Sequence, residues 1–162
     1  MDILKRSDKV AFYGVPTAEG EYTFHRMKGF TSISTSKNAK EYSRQYVDET
    51  FEQTDVVGYT PSISFNFDQV KGNAIHDDIV SIYNEEKVGV AAVRPIIIVD
   101  LSGETPTAIR RDFAVIAENE GDGTDAYTYS GTFKAKGDSV AGTATSADKW
   151  LTCNFVEGAA VE

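Results

Sequence analysis

A chain of 162 residues is long enough for one domain with one sizeable core and too short for two. Sixteen Lys and Arg against twenty-five Asp and Glu leave a net charge of −9, which disfavours any role that depends on gripping nucleic-acid phosphates. Composition is 41% hydrophobic and 25% charged, so disorder of the whole chain is excluded as well.

The charge is unevenly placed. Residues 1–50 carry eight basic and seven acidic groups, whereas 51–162 carry eight and eighteen, so regions of opposite sign are available for attraction between copies. The start, Met1 to Lys9, has no long apolar run of the secretory kind, and the longest aliphatic stretch, Ile96 to Val99, is far too short to span a bilayer. The protein is therefore expected to be made and kept in cytoplasm-like solution. The single cysteine, Cys153, excludes an internal disulfide and a thiolate cluster; Leu151 and Phe155 on the same parity point to a buried, inert thiol.

Period-two alternation dominates from the start. Val10 to Tyr13, Tyr22 to Met27 and Thr31 to Thr35 read as short strands broken by Gly14-Val15-Pro16 and Lys28-Gly29, which predicts an N-terminal β-meander. The next segment, Ser36 to Tyr59, holds Tyr42, Tyr46 and Phe51 among charges and has no continuous apolar face on either parity. A hairpin there would have a basic limb with Lys37, Lys40 and Arg44 and an acidic limb with Asp48, Glu49, Glu52 and Asp55. Such a hairpin buries too little to offset the entropy of ordering it, so it is expected to project and to need a neighbour.

After Tyr59-Thr60-Pro61 the alternation of Ile63, Phe65 and Phe67 with Ser62, Ser64 and Asn66 predicts a half-buried strand. A helix follows, with Asn73 as its cap, Asp77 and Asp78 in the first turn, and Ile75, Ile79, Ile82 and Tyr83 along one face. Four more strands are indicated at Ile96 to Leu101, Ala108 to Ala117, Tyr127 to Ala135 and about Lys149 to Val156, the last with an uncertain start in the small, polar tract from Gly142 to Asp148. The expected fold is mainly β: an antiparallel sandwich or barrel with one flanking α-helix, a single domain over 1–162 with a projecting arm at about 36–59.

Residues of chemical interest do not assemble into a catalytic pattern. His25 and His76 lie in different elements without metal-ligand spacing, so solvated or locally bonded histidines are expected and no metal or other cofactor is proposed. The acidic run Glu118 to Asp125 does not match an EF-hand register and reads as a solvated hairpin turn. Gly121 and Gly123 precede a β-rich segment and open no helix, as a phosphate loop would. No Gly-x-Ser-x-Gly elbow is present, and adjacent Asp77 and Asp78 point about 100° apart, which suits capping better than acid–base work. The chain is not expected to be an enzyme, and no catalytic residue is nominated.

The runs Arg6 to Gly14, Thr31 to Lys37, Lys40 to Glu49, Glu52 to Tyr59 and Pro61 to Ser64 resemble tail tube proteins of phages and prophages of Gram-positive bacteria. The likeness follows element order from end to end and is specific over roughly the first seventy residues. It implies a β-sandwich with a flanking helix, six copies closing into a ring through shared sheets, and rings stacked by a long loop. It also implies a virion component assembled in the host cytoplasm, with a tape-measure protein inside and tail terminator and distal tail proteins at the ends. DNA is then a transiting cargo, and no membrane is involved. On this reading Lys40, Tyr42, Arg44, Tyr46, Asp48, Glu49, Phe51, Glu52 and Asp55 form an inter-subunit stacking arm, with Tyr42, Tyr46 and Phe51 as apolar anchors. Lys40 and Arg44 would face Asp48, Glu49, Glu52 or Asp55 of adjacent subunits, and a surplus of acid would line a bore that must not hold DNA. Thr128, Ser130, Thr132 and Lys134 are the polar parity of one candidate bore strand, with Lys134 against a purely acidic lining. Three alternatives stay open: the inner tube of a contractile tail, bacteriocin or secretion system; a connector ring that does not elongate; and a monomeric β-sandwich binding module.

Overall fold

A computed structural model describes residues 3–121 and 123–158. Strands β1 (Lys9–Ala18) and β2 (Glu21–Arg26) form a hairpin, followed by β3 (Phe30–Ser36), β4 (Ala39–Arg44), β5 (Gln53–Tyr59) and β6 (Ser62–Asp68). Helix α1 (Ala74–Glu85) then precedes β7 (Val93–Asp100), β8 (Thr107–Glu120), β9 (Thr128–Ala135), β10 (Val140–Thr145) and β11 (Thr152–Glu157). Every pairing among these strands is antiparallel. The chain is therefore mainly antiparallel β with one flanking α-helix, as its alternation requires.

Nine strands share one sheet in the order β10-β11-β2-β1-β7-β8-β9-β6-β3, and β10 pairs with β8 as well. That second pairing closes β10, β11, β2, β1, β7 and β8 into a circuit. The long strand β8 makes it possible: residues 107–110 bond β10, and residues 113–120 leave the circuit to bond β9. Beyond the branch, β9, β6 and β3 form an open wing.

Strand parity then divides the apolar residues between two cores. Val10 and Phe12 of β1, Ile97 and Val99 of β7, and Phe24, Ala108, Ala144 and Cys153 fill the inside of the closed circuit. The opposite parity, Tyr13 and Ile96, joins Ile63, Phe65, Phe67, Phe113, Val115 and Phe133 beneath α1. Because β7 is covered on both faces over most of its length, up to Ile97, it reads as a nearly continuous apolar run and not as an alternation.

Helix α1 starts where Asn73 Oδ1 accepts from Ile75 N at 3.0 Å and His76 N at 3.3 Å. It ends at Glu86, which adopts a left-handed φ of 51°. Ile75, Ile79 and Ile82 are buried as the periodicity predicts, and His76 joins them. Close approach of helix to sheet depends on Gly131, where a Cβ would stand 2.4 Å from the Ile116 carbonyl oxygen and 2.6 Å from Tyr83 Oη. The Tyr83 hydroxyl can therefore donate to the Ser130 carbonyl.

Two local expectations are corrected. The N-terminal strands do not make a meander: β3 pairs with β6 and not with β2, because Gly29, at φ +79°, turns the chain so that Phe30 packs on Phe67 and His76. The tract from Gly142 is part of a separate strand, β10, and β11 begins only at Thr152, since Lys149 and Trp150 both take left-handed φ values in the turn between them. Asp148 organises that turn, and hydrogen bonds from Thr152 and Ser146 lower its pKa to about 2.

A candidate assembly interface

Strands β4 and β5 form a two-stranded sheet that shares no ladder with the body. They continue the β3–β6 pair outward across a break. Asn38, at φ 48°, turns the outgoing strand, and its side-chain amide donates to the Thr60 carbonyl and to Ser62 Oγ. Pro61 follows on the returning strand and has no N–H with which to extend the ladder. The hairpin is thus held at its base while almost all of its residues are exposed.

Opposite pairs assign the faces. Tyr42 lies across from Asp55 and Arg44 across from Gln53 on one face, while Glu41 faces Val56 and Ser43 faces Thr54 on the other. Arg44 donates to Asp55 Oδ2 at 2.5 Å and to Tyr46 Oη at 2.9 Å, and its guanidinium lies 5.6 Å and 5.7 Å from the Tyr42 and Tyr46 ring centres. The bonds to Asp55 and then Tyr46 raise the Arg44 pKa further. Tyr42 and Tyr46 remain 55% and 50% exposed, and Phe51 is 81% exposed. At the tip Gln45 donates to the carbonyls of Glu49 and Thr50, and Glu49 accepts from Gln53.

Of the charges expected to meet an adjacent copy, Arg44 and Asp55 are thus joined within one chain. Lys40, Asp48 and Glu52 form no ion pair among the described residues. The internal pair sets the register of the hairpin and leaves its aromatic face and its acidic tip as the free surface.

Two further surfaces belong to the wing. Among the described residues strand β3 is bonded only through β6, so its outer backbone edge is left unpaired by them. A cleft of about 610 Å³ runs beside it, with Arg6, Lys9 and Arg26 in its lining. On the face away from α1, the register aligns Ser34, Ser64 and Thr132 in one row and Ser32, Asn66 and Ser130 in the next. Asp68 and Lys134 stand toward opposite ends of this small, hydroxylated wall.

Buried ionisable groups serve the fold. Asp78 Oδ2 accepts from Tyr13 Oη at 2.6 Å and from Arg94 Nε at 2.9 Å, and Arg94 also donates to the carbonyls of Ala91 and Val93. Burial and the Asp78 carboxylate push the Tyr13 pKa well up. Asp78 is thus an anchor between α1, β1 and β7; of the two adjacent aspartates only Asp77 stands in the first turn, free to favour the helix N-terminus. His76 is fully buried and not solvated: its ring stacks on Phe67 at 4.1 Å and Nδ1 accepts from Val70 N at 3.0 Å. His25 is half-buried in β2, so the two histidines stay in separate elements. Cys153 is buried, and desolvation raises its thiol pKa to about 12, which keeps it protonated and unreactive.

Among the described residues no three His, Cys, Asp or Glu side chains gather as a metal site would require. The acidic turn considered for calcium contains Asp122, which lies outside the described residues. Nor, among those residues, is any helix long and apolar enough to cross a membrane.

No protein-family model and no curated protein matches the chain. Solved structures do. The chain is similar, with a TM-score of 0.58 and 12% identity, to a chain in the tail of an empty GTA particle of C6 symmetry, covering 85% of this chain and 97% of the other. A chain of the native gene transfer agent virion matches with a TM-score of 0.55 and 12% identity over 85% and 97%. A chain from the 6-fold symmetrised baseplate of the anti-feeding prophage matches with a TM-score of 0.50 and 8% identity over 87% and 97%. At these identities the likeness is one of fold alone.

Proposed function

We propose that the chain is the repeating subunit of a phage-type tail tube, a structural protein with no active site. Copies join side by side into six-membered rings, and the rings stack into a hollow rod through the β4–β5 hairpin. One observation carries this reading: a two-stranded sheet with exposed Tyr42, Tyr46 and Phe51 stands outside the body sheet, where a solitary protein would gain nothing from it. The resemblance in the first seventy residues and the likeness of fold to chains of tail-like particles support it. The ring number is taken from that resemblance and from the six-fold symmetry of two of those particles.

The open edge of β3 is the ring-closing strand in this reading, since a cyclic head-to-tail contact satisfies its free backbone groups and leaves no edge behind. The hydroxylated wall of β9, β6 and β3 then faces the bore. Its serines, threonines and asparagine hold water and present almost no cationic charge to a phosphate backbone, so DNA passes without being held. On this reading the bore wall is close to neutral, unlike the acidic lining that net charge alone suggests. A tape-measure protein would occupy the bore during assembly in the bacterial cytoplasm, with terminator and distal tail proteins at the ends.

Negative-stain imaging of the concentrated protein tests the class. Hollow rods of uniform width are expected; rings that never elongate would move the reading to a connector, and dispersed monomers would exclude self-assembly.

A further inference from the structure

Helix α1 covers the sheet only as far as Ile96 and Phe113. On the same parity beyond it lie Ile98 and Ile109, paired in register and 36% and 54% exposed, with Arg111 between Ile109 and Phe113. The hairpin base forms the facing wall with Lys37, Tyr59 and Pro61, enclosing about 260 Å³ beside a narrower cleft of about 90 Å³ that reaches the two isoleucines. This space suits a side chain, not a drug-sized ligand. Arg111 Nε is buried there without a hydrogen-bond partner, and among the described residues neither Lys37 nor Arg111 has an ion pair. The groove asks for an apolar side chain flanked by carboxylates.

The hairpin tip presents that combination: Phe51 is 81% exposed, next to Glu52 and near Asp48, neither of which is ion-paired among the described residues. Within one chain the tip stands about eight residues, roughly 25 Å, along β4 from the base, so it cannot fold back into its own groove. We propose that the hairpin tip of one copy seats in the groove at the hairpin base of a second copy, Phe51 against Ile98 and Ile109, with Asp48 and Glu52 toward Lys37 and Arg111. Tip and base are different patches, so the contact is head to tail; between stacked rings, where no rotation brings it back on itself, it leaves a free tip and a free groove at the two ends for further growth. The inference rests on the tube reading and adds the receptor for its stacking arm.

Two variants, Phe51→Cys and Ile109→Cys, are mixed, assembled and oxidised; the native Cys153 is buried and does not compete. A disulfide joining one chain of each variant is expected, and it should be lost when Ser64→Cys replaces Ile109→Cys. In parallel, Arg111→Glu should stop elongation at rings, and adding Glu52→Arg to the same chain should restore rods. Wild-type rods with no F51C–I109C cross-link, or rods from R111E alone, would overturn the groove while leaving the tube reading intact. Failure of the wild type to form rods would overturn both.

Discussion

Asp78 takes hydrogen bonds from Tyr13 and Arg94 at a point where helix, β1 and β7 meet, and this geometry decides what its removal costs. Asp78→Ala strands the Arg94 guanidinium, whose side chain is 8% exposed, and is expected to destabilise by about 3–5 kcal/mol in a denaturant melt. Asp77→Ala removes no buried partner, only a charge near the helix N-terminus and His76, and should cost ~0.3–1 kcal/mol; equal effects would contradict the assignment. The neighbouring His76 carries a pH signature. Burial lowers its pKa, opposed by Asp77 and the Lys28 backbone, so between that value and the unfolded ~6.5 the unfolded chain binds more protons. Its contribution to stability is therefore complete above about pH 6.5 and is lost as pH falls below it. Melting midpoints from pH 8 to 5 should show this decline in the wild type and a shallower one in His76→Phe; parallel profiles would contradict it. The place of Asp77 in the first turn was legible in sequence, but the anchoring role of Asp78 was not, because Asp78 and Arg94 are sixteen positions apart and meet only once α1 lies on β7.

Elements were readable where local pattern and tertiary environment agree. Alternation placed β6 and the Ile75-Ile79-Ile82 face placed α1, and both do what that pattern dictates. Strand β10 escaped because Val-Ala-Gly-Thr-Ala-Thr is too small and polar to show a core side, although Ala144 is buried between its neighbours. The pairing of β3 was misread because adjacency in sequence favoured β2, whereas Phe30 is drawn into the aromatic cluster over Phe67. The hairpin was legible through a deficiency, the lack of an apolar face on either parity. That same deficiency makes it the weakest element of the free chain. Trypsin should cut unassembled protein first at Lys40 or Arg44, leaving the body intact, and assembly should protect both sites. Early cleavage within β7 or β8 would point to a different order of stability.

At the scale of the molecule, a closed six-strand circuit and a helix-backed wing provide a body with two apolar cores of its own, leaving the outer edge of β3 and the groove beside Ile98 and Ile109 uncovered among the described residues. The hairpin is an added part, secured at Asn38 and Thr60 and otherwise turned to solvent. Removing its anchors should therefore affect association and spare folding. Sedimentation velocity on wild type and on Tyr42→Ala/Tyr46→Ala, beside a thermal melt of each, tests this directly. The wild type is expected to sediment as long assemblies and the variant as rings or single subunits, with the melting midpoint of the body unchanged. Long assemblies from the variant, or a wild type that stays monomeric at high concentration, would contradict the assignment of the hairpin to contacts between copies.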